Sequence, residues 1–166
     1  MAFLTMSVVP RPVTALATDQ KQQIEIDSEK GELDDAKNIN TFTGNVVVTQ
    51  GSIRITGDKM TIHYNKKKEI EILVVDGNPA TYRQLPDASK VYDEAQAKHM
   101  EYLKKKNLVI LTDNALVKQE SGSLRSDRIE YDTAHSRVTA TSEPAGTEEK
   151  NGKKGRVKII IPAKPD

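Results

Sequence analysis

The chain is written in short alternations. In "FTGNVVVTQ", Phe42, Gly44, Val46 and Val48 share one parity while Thr43, Asn45, Val47 and Thr49 share the other, which is the period of a half-buried β-strand. The pattern recurs at Ile24/Ile26, Ile53/Ile55, Met60/Ile62/Tyr64, Met100/Tyr102, Leu111/Ala115/Val117, Ile129/Tyr131 and Val157/Ile159/Ile161. Between these lie turn-forming clusters: Asp34-Asp35, Lys66 to Lys68, Asp76-Gly77-Asn78-Pro79, Lys104 to Asn107, Ser121-Gly122 and Glu143-Pro144. The pattern predicts an all-β chain of many short strands. The stretch "DEAQAKHMEYLKKKN" (93–107) is rich in helix formers, but Met100 and Tyr102 alternate and only Leu103 supports a helical stripe, so at most one turn of helix is expected there.

The alternation is itself repeated. "FTGNVVVTQ" (42–50) is matched without a gap by "LTDNALVKQ" (111–119), at an offset of 69, and the match continues from Asp58-Lys59-Met60 to Asp127-Arg128-Ile129. A finer unit of strand, polar turn, second strand and small or turn-forming cluster runs from Leu33 to Asn45, Ile62 to Asn78, Tyr102 to Asn114 and Tyr131 to Glu143. Such a unit does not bury its apolar face alone, and stacked neighbours complete the core together. Asp58-Lys59 and Asp127-Arg128 recur beside predicted strand starts, which favours a structural turn or surface pair over general acid–base work.

Composition narrows what such a stack can hold. At 166 residues the chain fits one domain. With 36% hydrophobic residues but only 4% aromatic, no Trp and two Phe, any core is thin and aliphatic. Twenty-five basic residues against 24 acidic ones, net +1, give no global field for a polyphosphate, which argues against a nucleic-acid partner. The absence of cysteine removes disulfides, thiolate nucleophiles and Cys-type zinc sites. Residues 1–17 read as a signal-peptide-like remnant: the apolar stretch Ala2 to Val9 leads to Ala15-Leu16-Ala17, although no Lys or Arg precedes it and Pro10 and Pro12 interrupt it. Export is therefore expected, with the β domain over 18–162 and a flexible tail over 163–166. No run approaches the ~20 apolar residues of a spanning helix.

The segments "FTGNVVVTQGSIRITGDKM", "GNPATY", "HMEYLKKKNLVILTDNALV" and "RSDRIEYD", followed by a closing "GRVKIIIP" strand, resemble the OstA-like family of periplasmic lipopolysaccharide-transport proteins of Gram-negative bacteria. The resemblance runs from about Gln23 to Pro162. It implies an open, twisted β-jellyroll, taco-like, of stacked repeated antiparallel strand units. It also implies a non-enzymatic periplasmic carrier that needs no cofactor, shields the lipid A acyl chains of lipopolysaccharide and associates head to tail. Such a carrier bridges the jellyroll domains of the inner-membrane extraction and outer-membrane insertion complexes.

Parity and the matching motifs together place Ile24, Ile26, Leu33, Phe42, Val46, Val48, Ile55, Met60, Ile62, Tyr82, Met100, Tyr102, Leu111, Val117, Leu124, Ile129 and Tyr131 on the inner, lipid-binding face. Lys104 departs from the pattern and marks a narrower or wetter place. The self-association edges are expected to be the Ile24–Ile26 strand and the strand carrying Val157, Ile159 and Ile161, where Pro162 ends pairing. The residues alone are equally compatible with a closed sandwich filled by the same side chains, a scaffold acting only through its edges; the resemblance selects the open groove.

Other signals carry less. His63, His99 and His135 are spaced 36 apart but fall at different positions of their units, so they are expected to be exposed and no metal site is expected. The lysine clusters 66–68 and 104–106, with Lys150, Lys153 and Lys154, read first as solubilising gatekeepers at hairpin ends, and second as contacts for the phosphates of a lipid head.

Overall fold

A computed structural model of the chain describes residues 19–86, 89–132, 135, 137–142 and 156–163. The signal-like segment, the Glu143-Pro144 turn, Lys150, Lys153, Lys154 and residues 164–166 lie outside the described residues. A one-turn 3-10 helix, Asp19–Lys21, leads into ten strands: β1 (Glu25–Asp27), β2 (Lys30–Asp34), β3 (Ile39–Gln50), β4 (Ile53–Tyr64), β5 (Ile70–Gln84), β6 (Asp93–Leu103), β7 (Leu108–Gln119), β8 (Gly122–Asp132), β9 (Arg137–Thr141) and β10 (Lys158–Ile160). All pairing is antiparallel, in the order β1-β3-β4-β5-β6-β7-β8-β10, with β2 also on β3 and β9 also on β8. The helix-rich stretch is strand β6 followed by a single 3-10 turn, Lys104–Lys106, as its alternation requires.

Each of the five ladders joining the six long strands breaks register on one line across the sheet, and the β4–β5 ladder shifts again near the lip, between His63 and Tyr64. The breaks on that line lie between Thr43 and Val46, Thr56 and Lys59, Asp76 and Ala80, Gln96 and His99, and Thr112 and Ala115. At these bulges the strands bend. The sheet therefore folds along the line into two walls that share strands. The first wall holds β2, residues 39–43, 59–64, 70–76, 99–103, 108–112 and 128–132, and β9; the second holds β1, residues 46–50, 53–56, 80–84, 93–97, 115–119 and 122–126, and β10.

The offset-69 repeat encodes this crease. Thr43 pairs with Lys59 and Val46 with Gly57; 69 residues on, Thr112 pairs with Arg128 and Ala115 with Ser126. Two residues on one strand oppose one on the other in both copies. Gly44-Asn45 and Asp113-Asn114 all take positive φ (81°, 46°, 65° and 58°), which Gly, Asn and Asp tolerate best. Asp58 and Asp127 are the lone opposing residues within β4 and β8, so these acid–base pairs mark mid-strand bends and not strand starts. Asp76-Gly77-Asn78-Pro79 is likewise the bend of the uninterrupted β5 and not a turn between strands; the Asn78–Pro79 peptide is cis there.

Small side chains line the crease on the inside: Gly57, Ala80, Ala97, Ala115 and Ser126. A Cβ at Gly57 would stand 2.6 Å from Val75 Cγ1 and 2.8 Å from the Asp76 carbonyl, so the walls meet there only because that side chain is missing.

Candidate functional site

Partners in an antiparallel ladder share a face, so the registers trace rows of side chains from one end of the sheet to the other. Beside the crease on the first wall runs Gly31, Phe42, Met60, Val75, Met100, Leu111, Ile129 and Ala140. One step further out lies Leu33, Asn40, Ile62, Leu73, Tyr102, Val109, Tyr131 and Val138. The facing row on the second wall is Ile26, Val48, Ile55, Tyr82, Ala95, Val117, Leu124 and Ile159. Apart from Gly31 and Asn40, these three rows contain only apolar or tyrosine side chains, and both walls contribute to a single apolar cluster. The result is a trough, tight at the crease and looser towards its lips. Met60 and Ile129 are 1% and 0% exposed, while Phe42, Ile55, Leu73, Tyr82, Val109, Val117 and Leu124 are half-buried against them.

The inner-face residues expected from sequence fall in these rows, or beside the crease in the case of Val46, with one exception. Ile24 precedes β1, which begins at Glu25, and is exposed. Its would-be pairing partner Gln50 lies beyond the last ladder pair, Glu25–Thr49, and donates from side-chain Nε2 to the Gln22 carbonyl at 3.2 Å. Leu33 is in the outer row but 70% exposed, because no further strand covers β2. At the other end β10 covers only 158–160, so Ile159 is paired while Val157 and Ile161 flank the strand. Lys104 is not in the trough at all; it begins the 3-10 turn at the lip.

Sequence parity missed Leu73, Val75, Val109 and the crease alanines Ala80 and Ala97. In "IEILVVD" and "LVIL" both faces are apolar, so alternation is invisible there; Leu108 and Ile110 face outward beside the inward Val109 and Leu111. The crease also reverses parity in β4, β5, β6 and β8, while β3 and β7 keep it. In β4 the inward residues are Ile55, then Met60 and Ile62; in β6 they are Ala95, then Met100 and Tyr102.

Polar groups cluster at the second wall's lip. Tyr82 donates its hydroxyl to Gln84 Oε1, and Gln119 Nε2 donates to Asp93 Oδ2 at 3.0 Å. Gln84 Nε2 is buried with no partner among the described residues. Burial, followed by the nearby charges of Asp93, Asp19 and Tyr131, raises the Tyr82 hydroxyl far above the usual phenol range, so it stays a neutral donor. Asp19, 3% exposed, locks the β3–β4 turn by accepting from Ser52 N at 2.8 Å and Ser52 Oγ at 2.6 Å, while Ser52 Oγ accepts from Leu85 N at 3.0 Å.

The outer faces mix polar side chains with apolar ones such as Val74, Ile110 and Leu116. His99 is partly buried there rather than exposed, with Nδ1 2.6 Å from Asp76 Oδ1 and Nε2 3.1 Å from Glu101 Oε1. Burial opposes its charge, but the hydrogen bonds and charges of those carboxylates outweigh it and raise its pKa. Among the described residues no group of three or more His, Cys, Asp or Glu is placed to hold a metal, and no helix is long and apolar enough to cross a membrane.

The large apolar side chains that remain exposed gather at the two ends of the trough. Ile24 and Leu33 lie at the β1/β2 end, and Val138, Val157, Ile159, Ile160 and Ile161 at the β9/β10 end; only Val91 and Tyr92 lie elsewhere among the described residues. Residues 25–137 match the family described as LptA/(LptD N-terminal domain) LPS transport protein. The chain belongs to that family. It is 35% identical over 137 residues to the lipopolysaccharide export system protein LptH of Pseudomonas aeruginosa, covering 82% of this chain and 78% of that one. It is 35% identical over 153 residues to LptA of Escherichia coli strain K12, covering 86% and 82%, and 32% identical over 164 residues to LptA of Haemophilus influenzae, covering 96% and 88%. The crystal structure of P. aeruginosa LptH, described as the LptA homologous periplasmic component of a lipopolysaccharide transport device, superposes with a TM-score of 0.74 over 88% of this chain and 99% of that one, at 32% identity. The fold is therefore the open β-jellyroll.

Proposed function

We propose that this protein is a periplasmic carrier of lipopolysaccharide, with the acyl chains held between the two walls and without catalysis. The observation that supports it best is the unbroken inner row from Ile26 to Ile159, which passes through every strand of the second wall and ends at an exposed edge on either side. A closed core has no use for apolar rows that run out of both ends. Each acyl methylene withdrawn from water contributes about 0.8 kcal/mol, and aliphatic walls with few polar anchors let a chain slide. The cluster packed along the crease means that tails enter by parting the walls, with the bulges as the bending line.

Both ends also suit head-to-tail assembly. β1 and β10 are edges of the same wall, as are β2 and β9. Because β1 runs antiparallel to β3 and β10 antiparallel to β8, with an odd number of steps between, β10 of one copy meets β1 of the next in antiparallel sense. Stacking thus continues both walls and the trough. The same edges are the surfaces offered to jellyroll domains of the membrane complexes at either end of the path.

A photo-crosslinking residue at Tyr102, facing inward, is expected to capture lipopolysaccharide, and one at its outward neighbour Glu101 to capture far less. Equal yields at the two positions overturn the carrier reading. The packed crease also favours a filled scaffold acting only through its edges; purified protein that neither retains lipid nor binds a hydrophobic dye selects that reading instead.

A further inference from the structure

Charge that is balanced along the sequence is unbalanced in space. Successive hairpin turns fall on opposite lips of the trough: 35–38, 65–69 and 104–107 end the first wall, and 51–52, 85–92 and 120–121 end the second. Residues 34–38, 65–69 and 104–107 hold seven lysines against three acidic side chains. The described residues of the opposite turns hold one lysine, Lys90, and one glutamate, Glu120.

Ion pairs join the first lip into one ridge. Lys37 lies 2.8 Å from Asp34 within its own turn, Lys68 of the β4–β5 turn lies 3.1 Å from Asp35 of the β2–β3 turn, and Lys105 of the β6–β7 turn pairs with Glu71 on β5. Among the described residues, Lys66, Lys67, Lys104 and Lys106 have no acidic partner, and all four are exposed. Each pair continues a strand with inward aromatic residues: Lys66 follows Tyr64 and Lys104 follows Tyr102 by two residues, about 7 Å of extended chain. Gatekeeping against aggregation calls for charge on every hairpin end. Crowding four unpaired cations onto one lip, while the described residues of the other carry no such excess, costs self-repulsion that an anion between them relieves.

Resting on the carrier reading, we propose that this lip binds the anionic groups, phosphate or carboxylate, of the amphiphile's head. It thereby fixes the cargo's orientation, with the tails between the walls and the charged head over the 65–69 and 104–107 turns. Lysine suits this role, since a mobile point charge follows a moving head group where a fixed bidentate fork would trap it.

The test compares two defined probes, bisphosphorylated lipid A and the same lipid stripped of phosphate, on the wild type, on Lys66→Gln/Lys67→Gln/Lys104→Gln/Lys106→Gln, and on a control that removes as much charge elsewhere, Lys21→Gln/Lys90→Gln/Lys98→Gln/Lys118→Gln. Thermal melts confirm that all three fold. The wild type and the control are expected to prefer the phosphorylated lipid by about tenfold or more, a preference that shrinks with salt, and the lip variant to bind both lipids alike. A lip variant that keeps the preference, or a control that loses it equally, overturns the proposal. So does full competition by inorganic phosphate, which assigns a free-anion site, or cosedimentation with phosphatidylglycerol vesicles without any preference between the two lipids, which assigns the lip to a bilayer. A wild type that takes up both lipids equally overturns this proposal and leaves the carrier standing; one that takes up neither overturns the carrier reading itself.

Discussion

Asn45 on β3 and Asn114 on β7 hold the same left-handed backbone conformation at the same bend, with φ of 46° and 58°, although three intervening strands and 69 residues of chain separate them. Each follows another left-handed residue, Gly44 or Asp113, and each faces a single residue across the ladder, Asp58 or Asp127. The fold line of the sheet is thus written into residue types that accept positive φ.

The bend should be sensitive to backbone preference and indifferent to side-chain chemistry. Asn114→Val is expected to lose about 1–2 kcal/mol, the cost of a left-handed conformation for an L-residue with a crowded Cβ, while Asn114→Gly should change stability little. Urea unfolding of the two variants decides it; equal losses would show that the Asn114 side chain, and not its backbone, matters.

The crease is also where packing is tightest. Ile129, 0% exposed, touches the cluster from the middle of β8, so Ile129→Ala is expected to cost about 2–5 kcal/mol. Ile159, on the same inner side but 64% exposed at the edge, should cost less than about 1 kcal/mol when cut to Ala in the isolated protomer. Denaturant midpoints at low protein concentration separate the two, and comparable losses would contradict the gradient from crease to edge.

His99 ties stability to pH. Its folded-state pKa is raised, so the stabilisation it contributes is fully present below its ordinary 6.5 and disappears as pH rises through the higher folded value. The groups facing it are Asp76 and Glu101, with Lys59 and the Arg128–Glu130 pair, 2.7 Å apart, on the same outer face. His99→Asn should therefore destabilise the protein more at pH 5.5 than at pH 9. A pH-independent difference between the two proteins would exclude the ion pairs as the cause.

Assembly should depend on the last strand. Deleting residues 156–166, or making Ile159→Asp at the unpaired edge, is expected to leave the protomer folded and abolish concentration-dependent association in light scattering. Association that survives both changes places the contact elsewhere.

Alternation made the strands legible, and the repeat announced that something structural recurred every 69 residues. Sixteen of the seventeen inner-face expectations lie on the inward side because a two-walled sheet needs its apolar side chains on one face, and selection on that face leaves a period-two trace. Where both faces are apolar, as around Val75 and Val109, the trace vanishes. The cluster Asp76 to Pro79 has the composition of a turn, and composition does not distinguish a reversal of the chain from a bend within it; only the continued pairing of Ala80 with Ala97 does so.

The sequence by itself determined the strand periodicity, the thin aliphatic interior, the left-handed residues at the fold line and the membership of a transport family. Tertiary structure decided what those features add up to. Interruptions of one or three residues reversed the parity of β4, β5, β6 and β8, so a shared face is defined by register and not by counting. Antiparallel connection sent successive turns to opposite lips, which gathered lysines 37, 66–68 and 104–106 on one side of a chain whose net charge is only +1. Both outcomes are non-local: they depend on which strands are neighbours, and hydrogen-bonded pairing across the sheet is what fixes that.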